Sequence, residues 1–267
     1  MLEQIKNTAS FIRDKVGFHP QVGIILGTGL GSLADSIEVE ATLDYHKIPN
    51  FPVSTVEGHK GKLIFGNLGG KKVVAMQGRF HYYEGYTPQQ VVFPVRVMKF
   101  LGIEYLFVSN ASGGVGDGFR TGDLMVITDH INLIPNPLIG PNIPELGPRF
   151  PDMSEAYSKK LIAQADAIAA REKIKLQHGC YVGGTGPTFE TQKEYGYFKT
   201  IGADAVGMST TPEVIAARHM GIPIFGVSVI TNVGLSGEKS THEEVQQEGA
   251  KAAVNMTKLF IEMVKVL

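Results

Sequence analysis

Short runs of valine, isoleucine and leucine recur along the whole chain, and most of them lack the strict polar–apolar alternation of a half-exposed strand. This pattern is typical of strands that are covered on both faces, as in the largely parallel sheets of α/β proteins. Amphipathic stretches separate the runs. The chain is therefore predicted to form a mixed, largely parallel central sheet flanked by helices. The predicted strands are residues 22–26, 63–65, 73–76, 106–108, 124–127, 205–208 and 224–230.

Capping residues mark three helix starts between these strands. Thr87 precedes a proline, and Gln90 completes a capping box with it. Gly102 is placed to end that helix, and Pro94 is predicted to kink it. Two further starts are residues 210–213 (TTPE) and 240–243 (STHE). The proline-rich residues 132–152 predict an irregular excursion near a subunit contact, and no stretch resembles a linker, so residues 1–267 are predicted to form a single domain.

The charge balance and the cysteine count exclude several classes of protein. With 25 Lys and Arg against 26 Asp and Glu, the formal charge is −1, which disfavours nucleic-acid binding by bulk electrostatics. Cys180 is the only cysteine, so an intrachain disulfide and a cysteine-cluster zinc site are excluded. No apolar run approaches the ~20 residues of a membrane span, and charges interrupt the start of the chain where a signal peptide has its apolar core. These features predict a cytoplasmic protein without a membrane partner.

Polar and small residues directly follow several of the predicted strands. Because ligands of open α/β sheets bind at the carboxyl ends of strands, these residues are expected to converge on one site. Their hydroxyls, guanidinium, imidazoles and backbone N–H groups form a donor set for a small oxyanion, and phosphate fits it best. The residues concerned are Thr28, Gly29, His59, Arg79, His81, Ala111 and Ser209. Ser209 has a second possible role as a helix cap.

Two glycine-containing motifs resemble nucleotide-binding signatures but have the wrong spacing. GTGLG (27–31) lacks the third glycine of the dinucleotide fingerprint, since Ser32 follows it, and no acid lies at the distance needed for a ribose. GEKST (237–241) has the wrong residue order for a P-loop. A dehydrogenase and a kinase are therefore disfavoured. No paired carboxylates with histidine occur at metal-ligand spacing, so no metal is expected.

Nine segments, in order over nearly the whole chain, together carry a specific signature. They are GTGLG (27–31), EGHKGKLIFG (57–66), MQGRFHYYEGY (76–86), SNASGG (109–114), TDHIN (128–132), GPTFET (186–191), VGMST (206–210), SVITN (228–232) and THEEV (241–245). With them the chain resembles the trimeric purine nucleoside phosphorylase and methylthioadenosine phosphorylase family. The resemblance implies the nucleoside phosphorylase fold, a homotrimer, and phosphorolysis of purine nucleosides without a cofactor, with inorganic phosphate as co-substrate.

The resemblance also assigns roles to individual residues. It implies that phosphate is held by Thr28, His59, Arg79, His81, Ala111 and Ser209. It places Tyr83, Met208 and His242 against the ribose, and Phe189, Glu190 and Asn232 against the purine. His81, Glu190 and Asn232 are the implied catalytic residues.

The choice of purine depends on Asn232 in this comparison. An amide can donate to the purine N7 and also present a donor toward a 6-oxo group, whereas adenosine-directed members of the family carry a carboxylate there. Inosine and guanosine are therefore the expected substrates, and the products are the free base and ribose 1-phosphate. Two alternatives stay open: a methylthioadenosine or adenosine phosphorylase, and a nucleoside- or phosphate-binding protein without turnover.

Overall fold

The computed structural model describes residues 1–56, 60–237 and 241–267, and in these ranges nine strands and seven α-helices succeed one another. The strands are β1 Val22–Leu26, β2 Glu38–Asp44, β3 Lys62–Leu68, β4 Lys71–Gln77, β5 Tyr105–Gly114, β6 Leu124–Asn132, β7 Leu176–Gly183, β8 Ala205–Gly207 and β9 Ile224–Val233. The helices are α1 Leu2–Val16, α2 Pro88–Val91, α3 Phe93–Leu101, α4 Lys159–Glu172, α5 Gln192–Thr200, α6 Thr211–His219 and α7 His242–Lys265.

All the described strands belong to one mixed sheet, in the order β2-β3-β4-β1-β5-β8-β7-β6-β9. A further pairing between β5 and β9 closes β5, β8, β7, β6 and β9 into a ring. Among the pairings of the described residues, β1–β4, β1–β5, β5–β9, β6–β7 and β7–β8 are parallel and the other four antiparallel. The α/β fold with a mixed sheet flanked by helices is thus confirmed.

Helices cover both faces of the sheet, which explains why the strand sequences do not alternate. One apolar cluster joins the sheet to α1, α3 and α6, and a second joins its other face to α4 and α7. Every residue of β1 is buried as a result. One continuous sheet with a core on each face is consistent with the single domain predicted for residues 1–267.

All seven predicted strands are present, most of them longer than predicted, and β2 and β7 were missed. β2 is an edge strand with mostly exposed side chains and three acidic residues, so it has no apolar run to detect. In β7 the polar residues Gln177 and His178 follow the first residue, Leu176, and a glycine, Gly179, lies at the centre. Both strands form because neighbouring strands pair with them, which a local pattern cannot show.

The Pro94 region differs from the single kinked helix that was predicted. Thr87 caps α2 through the expected box with Gln90, but the chain breaks at Val92 and a second helix starts. Pro94 then lies in the first turn of α3, where a missing N–H is tolerated. Gly102 ends α3 with φ 109°, as predicted. Thr241 caps α7 through a box with Glu244, while Ser240 lies outside the described residues.

The segment between β6 and α4 has no helix or strand, as predicted for residues 132–152. It carries two large apolar side chains on the surface, Ile139 at 70% and Phe150 at 87% exposure. None of the described helices is long and apolar enough to cross a membrane.

Candidate active site

Four parallel strands bring much of the predicted site to one edge of the sheet. β4, β1, β5 and β9 all run in the same direction, so their carboxyl ends lie together. Thr28 follows β1 by two residues, Arg79 follows β4 by two, and Ala111 and Asn232 lie in the last parts of β5 and β9. The sheet register sets Asn232 directly beside Gly113.

Ser209 reaches the same edge for a different geometric reason. β8 is antiparallel to β5, and its pairing with β5 involves only the last two residues of β5, Gly113 and Gly114. The chain after β8 therefore runs back along β5. A Cβ on Gly207 would lie 3.3 Å from the carbonyl oxygen of Ala111, which shows how closely the two segments approach. Ser209 was expected at this edge because ligands bind at the carboxyl ends of strands. It does lie there, although β8 runs antiparallel to β5.

A cavity of about 350 Å³ lies at this edge, within the size range of small-molecule sites. It is lined by every described residue to which the family resemblance assigns a role: Thr28, Arg79, His81, Tyr83, Ala111, Phe189, Glu190, Met208, Ser209, Asn232 and His242. Gly29, which was expected among the oxyanion donors, does not line this cavity and instead packs against Gln246 and Gly249 of α7. His59 lies outside the described residues. Residues more than 200 positions apart in the chain thus come together as predicted, while their individual roles stay predictions.

A buried ion pair fixes Arg79. Its Nε and Nη2 donate to the two carboxylate oxygens of Glu213 at 3.0 and 2.8 Å, and Nη1 donates to the carbonyl of Ser109 at 2.5 Å. The side chains are 1% and 3% exposed, so this bidentate pair is screened little by solvent. Glu213 lies in the first turn of α6. The pair therefore holds the guanidinium at the wall of the cavity, which Ser209 also lines.

His81 is held by Glu84, three residues further on. The carboxylate accepts from the His81 backbone N–H at 2.8 Å and lies 2.9 Å from Nδ1. Burial raises the pKa of Glu84, but hydrogen bonds from His81 and Thr55 outweigh it and bring the pKa to about 2. Since an ionised carboxylate only accepts, Nδ1 carries the proton. Burial also lowers the pKa of His81, so the imidazole is neutral near pH 7.

A buried network of hydrogen bonds between hydroxyl groups and one amide lies along the wall of the cavity. Asn110 donates to Thr210 at 2.9 Å and accepts from Ser228 at 2.5 Å, and the Ser228 and Ser112 hydroxyls are 2.6 Å apart. Thr210 also lies 3.0 Å from the Ser209 hydroxyl. Its φ of 71° is strained for a β-branched residue, and such strain persists only where the surroundings impose it.

The residues predicted to contact a purine line the same cavity. Phe189 and Glu190 come from the segment between β7 and α5, and Asn232 comes from β9. Burial raises the pKa of Glu190, because the carboxylate is largely removed from water. Thr191 caps α5 immediately after Glu190, through a capping box with Glu194.

The residues predicted to contact the ribose also line this cavity. A Cβ on Gly186 would lie 2.4 Å from the Met208 sulfur and 3.1 Å from the Tyr83 ring, so glycine is needed for Met208 and Tyr83 to approach one another here. Tyr83 stacks on the His81 ring with 4.7 Å between the centroids. His242 enters from the first turn of α7, with its Nε2 2.9 Å from the amide nitrogen of Gln246.

Several residues that shape the site were not identified from the sequence: Glu84, Ser112, Tyr195 and Glu213. In the sequence, Glu213 looks like an ordinary acidic residue in the first turn of a helix. Only the fold shows that it pairs with the Arg79 guanidinium, 134 positions away in the chain. Over residues 1–56, 60–237 and 241–267, no group of three or more His, Cys, Asp or Glu residues is arranged to hold a metal ion.

Comparisons with known proteins agree with this site. A family model described as the phosphorylase superfamily matches residues 21–265. Purine nucleoside phosphorylase 1 of Bacillus subtilis is 52% identical over 97% of both chains, and the purine nucleoside phosphorylase of Rattus norvegicus is 48% identical over 94% of this chain and 90% of its own. The Schistosoma mansoni purine nucleoside phosphorylase in complex with inosine superposes with a TM-score of 0.95 at 44% identity, covering 99% and 96% of the two chains, and the same enzyme in complex with adenosine gives 0.94. The chain thus belongs to the phosphorylase superfamily and, within it, to the purine nucleoside phosphorylases.

Proposed function

We propose that this protein cleaves the N-glycosidic bond of purine ribonucleosides and deoxyribonucleosides with inorganic phosphate, mainly inosine and guanosine. The products are the free base and ribose 1-phosphate or its deoxy form, which places the enzyme in purine salvage. One observation carries the proposal: an oxyanion donor set and a carboxylate–amide pair suited to a purine line the same cavity. The names of relatives about 50% identical over nearly the whole chain support it.

At one end of the cavity, Thr28, Arg79, Ala111 and Ser209 would hold phosphate. Glycosyl transfer passes through an oxocarbenium-like transition state, in which the ribose gains positive charge. A phosphate anion fixed beneath the sugar is then both the nucleophile and the counter-charge. His81, held by Glu84, would exchange a proton with the bound phosphate, since its imidazole is neutral near pH 7.

At the other end, the departing purine gains negative charge. Asn232 would donate a hydrogen bond to N7, and Glu190 would accept from N1–H and from an exocyclic N–H. These bonds strengthen as charge builds on the base, which stabilises the transition state more than the bound nucleoside. Tyr83, Met208 and His242 would contact the ribose between the two ends. This reaction needs no cofactor and no covalent enzyme intermediate.

A 6-oxopurine fits Glu190 better than adenine does. Hypoxanthine and guanine have an N1–H to donate to a carboxylate, whereas adenine has an unprotonated N1. The alternative of an adenosine or methylthioadenosine phosphorylase has one observation in its favour, since the schistosome relative holds adenosine as well as inosine. Comparing kcat/KM for inosine, guanosine, adenosine and methylthioadenosine distinguishes the two.

We also propose that the protein works as a homotrimer. Ile139 and Phe150 expose large apolar surfaces on residues 132–152, beside a cleft of about 590 Å³. Such surface is typical of a contact between subunits. Sedimentation equilibrium should give three times the 28.9 kDa chain mass, and Phe150→Ala should weaken the association. A monomer at micromolar concentration contradicts this proposal. A cytoplasmic location stays a prediction.

Incubation of the purified protein with inosine, with and without phosphate, tests the activity. Release of hypoxanthine only when phosphate is present supports phosphorolysis. Equal release in phosphate-free buffer indicates a hydrolase, and tight binding of inosine without release indicates a binding protein. The Arg79→Ala variant is the control, because it removes a phosphate contact and should abolish the phosphate-dependent release.

A further inference from the structure

Tyr195 lies between the two residues proposed to bind the purine. It belongs to α5, is 4% exposed, and lines the same cavity as Glu190 and Asn232. Both side chains lie close enough to its hydroxyl to interact with it through hydrogen bonds. Neither the sequence motifs nor the proposed reaction uses this residue.

Two glycines fix the tyrosine ring. A Cβ on Gly234 would lie 2.4 Å from the ring and a Cβ on Gly113 would lie 3.4 Å from it, so the ring packs directly on the backbone of both residues. The same Cβ on Gly113 would lie 3.3 Å from the Asn232 amide nitrogen. The ring edge and the amide therefore meet over Gly113. A ring enclosed in this way has little freedom to turn away from the cavity.

The direction of the hydrogen bonds follows from the chemistry of the three groups. Burial, and then the nearby Glu190 charge, raises the pKa of Tyr195 to about 12, so the phenol keeps its proton. An ionised Glu190 can only accept, so the Tyr195 hydroxyl donates to it. The Asn232 amide nitrogen then donates to the tyrosine oxygen. The order of donation is Asn232 to Tyr195 to Glu190.

We propose that Tyr195 is a positioning residue for purine recognition, whose enclosed ring sets its hydroxyl between the Glu190 carboxylate and the Asn232 amide and orients both groups toward the base. The inference rests on the proposed function. An amide that has one N–H bonded to Tyr195 has its other N–H available for a ring acceptor such as N7. A carboxylate that accepts from Tyr195 keeps further lone pairs for N1–H of a 6-oxopurine.

Loss of the hydroxyl should therefore act through the protonation of Glu190. Burial raises the pKa of Glu190, and the Tyr195 hydrogen bond is one of the contacts that lower it. In Tyr195→Phe that pKa rises further, and a larger fraction of Glu190 is protonated at mildly acidic pH. A protonated Glu190 cannot accept from N1–H. Inosine turnover then declines at a higher pH than in the wild type, while adenosine, which has no N1–H, is affected less.

The test is a pH profile of kcat/KM for inosine and adenosine in Tyr195→Phe, at a fixed phosphate concentration so that phosphate titration is common to both proteins. The expected result is an acidic limb for inosine shifted to higher pH, an inosine kcat/KM about tenfold lower than that of the wild type on this limb, and a smaller loss for adenosine. Tyr197→Phe is the matched control, since Tyr197 lies on the same helix but is 53% exposed, and it should match the wild type.

Two outcomes overturn the inference: an inosine profile within twofold of the wild type, or equal losses for inosine and adenosine with an unshifted acidic limb. Calorimetric titration with free hypoxanthine and adenine separates this inference from the proposed function. Weaker hypoxanthine binding and unchanged adenine binding in Tyr195→Phe support the role of Tyr195 even in a protein without turnover. Equal affinities in the variant and the wild type contradict it.

Discussion

Replacing Glu213 with glutamine removes the charge that faces Arg79 in the interior. The two side chains are 1% and 3% exposed, and two charge-assisted hydrogen bonds join them. Removing one partner of a buried ion pair costs about 3–5 kcal/mol, because the remaining charge stays buried without compensation. Glutamine keeps the shape and one oxygen acceptor, so we expect the lower end, about 3 kcal/mol. For a chain of this size this corresponds to a fall in Tm of about 6–12 °C.

Chemical unfolding at one fixed protein concentration, without phosphate, measures this loss. Glu262→Gln is the matched control, because Glu262 pairs with Arg171 and Lys265 at the surface, where such pairs contribute about 0–1 kcal/mol. The KM for phosphate should also rise in Glu213→Gln, since Arg79 loses its fixed position. A Glu213→Gln protein as stable as Glu262→Gln would refute the reasoning. An unchanged KM for phosphate would show that Arg79 does not bind phosphate.

Three further changes have expected outcomes. Asn232→Asp should lower kcat/KM for inosine much more than for adenosine, because a carboxylate repels the 6-oxo oxygen of hypoxanthine but can accept a hydrogen bond from the 6-amino group of adenine. The free energy of unfolding should fall from pH 7.5 to 5.5, because burial lowers the pKa of three histidines below 6.5 and the unfolded chain then binds more protons. These are His81, His130 and His219. Gly234→Ala should destabilise the protein by about 1–3 kcal/mol and weaken inosine turnover, since the new methyl group would meet the Tyr195 ring.

Each of these has a control or a contradicting result. Equal losses for both nucleosides in Asn232→Asp would argue against a role in purine choice. Stability that is constant or rises from pH 7.5 to 5.5 would mean that the buried histidines are not held neutral. Gly196→Ala is the control for Gly234→Ala, because nothing lies within 4 Å of its added Cβ and alanine favours helix. Equal effects of the two glycine changes would exclude the clash as the cause.

The sequence predicted the strands that have an apolar run and the helices that have a cap. β1 lies between two other strands, β4 and β5, and has helices on both faces of the sheet. Its five residues are therefore all apolar or glycine, and its bounds were predicted correctly. β2 carries Glu38, Glu40 and Asp44 at the sheet edge and gave no such signal. The break at Val92 depends on where the chain leaves α2, which a proline alone does not determine.

The site was predictable where a motif carries its chemistry within a few residues. Arg79 and His81 follow an apolar strand directly, and the structure places both in the cavity. Nothing near Glu213 or Tyr195 in the sequence indicates a role in the site, because their partners lie in distant segments. Glu213 pairs with Arg79, in the loop after β4, and Tyr195 interacts with Asn232 of β9. Pairings of this kind exist only after folding, so charge and spacing in one segment do not reveal them.

The fate of phosphate tests the central claim most directly. Phosphorus NMR of a mixture of protein, inosine and inorganic phosphate follows both reactants at once. We predict that the inorganic phosphate signal declines as a sugar 1-phosphate signal grows, in a one-to-one ratio with the hypoxanthine released. Hypoxanthine release with free ribose and an unchanged phosphate signal would contradict the account, as would an unreacted mixture.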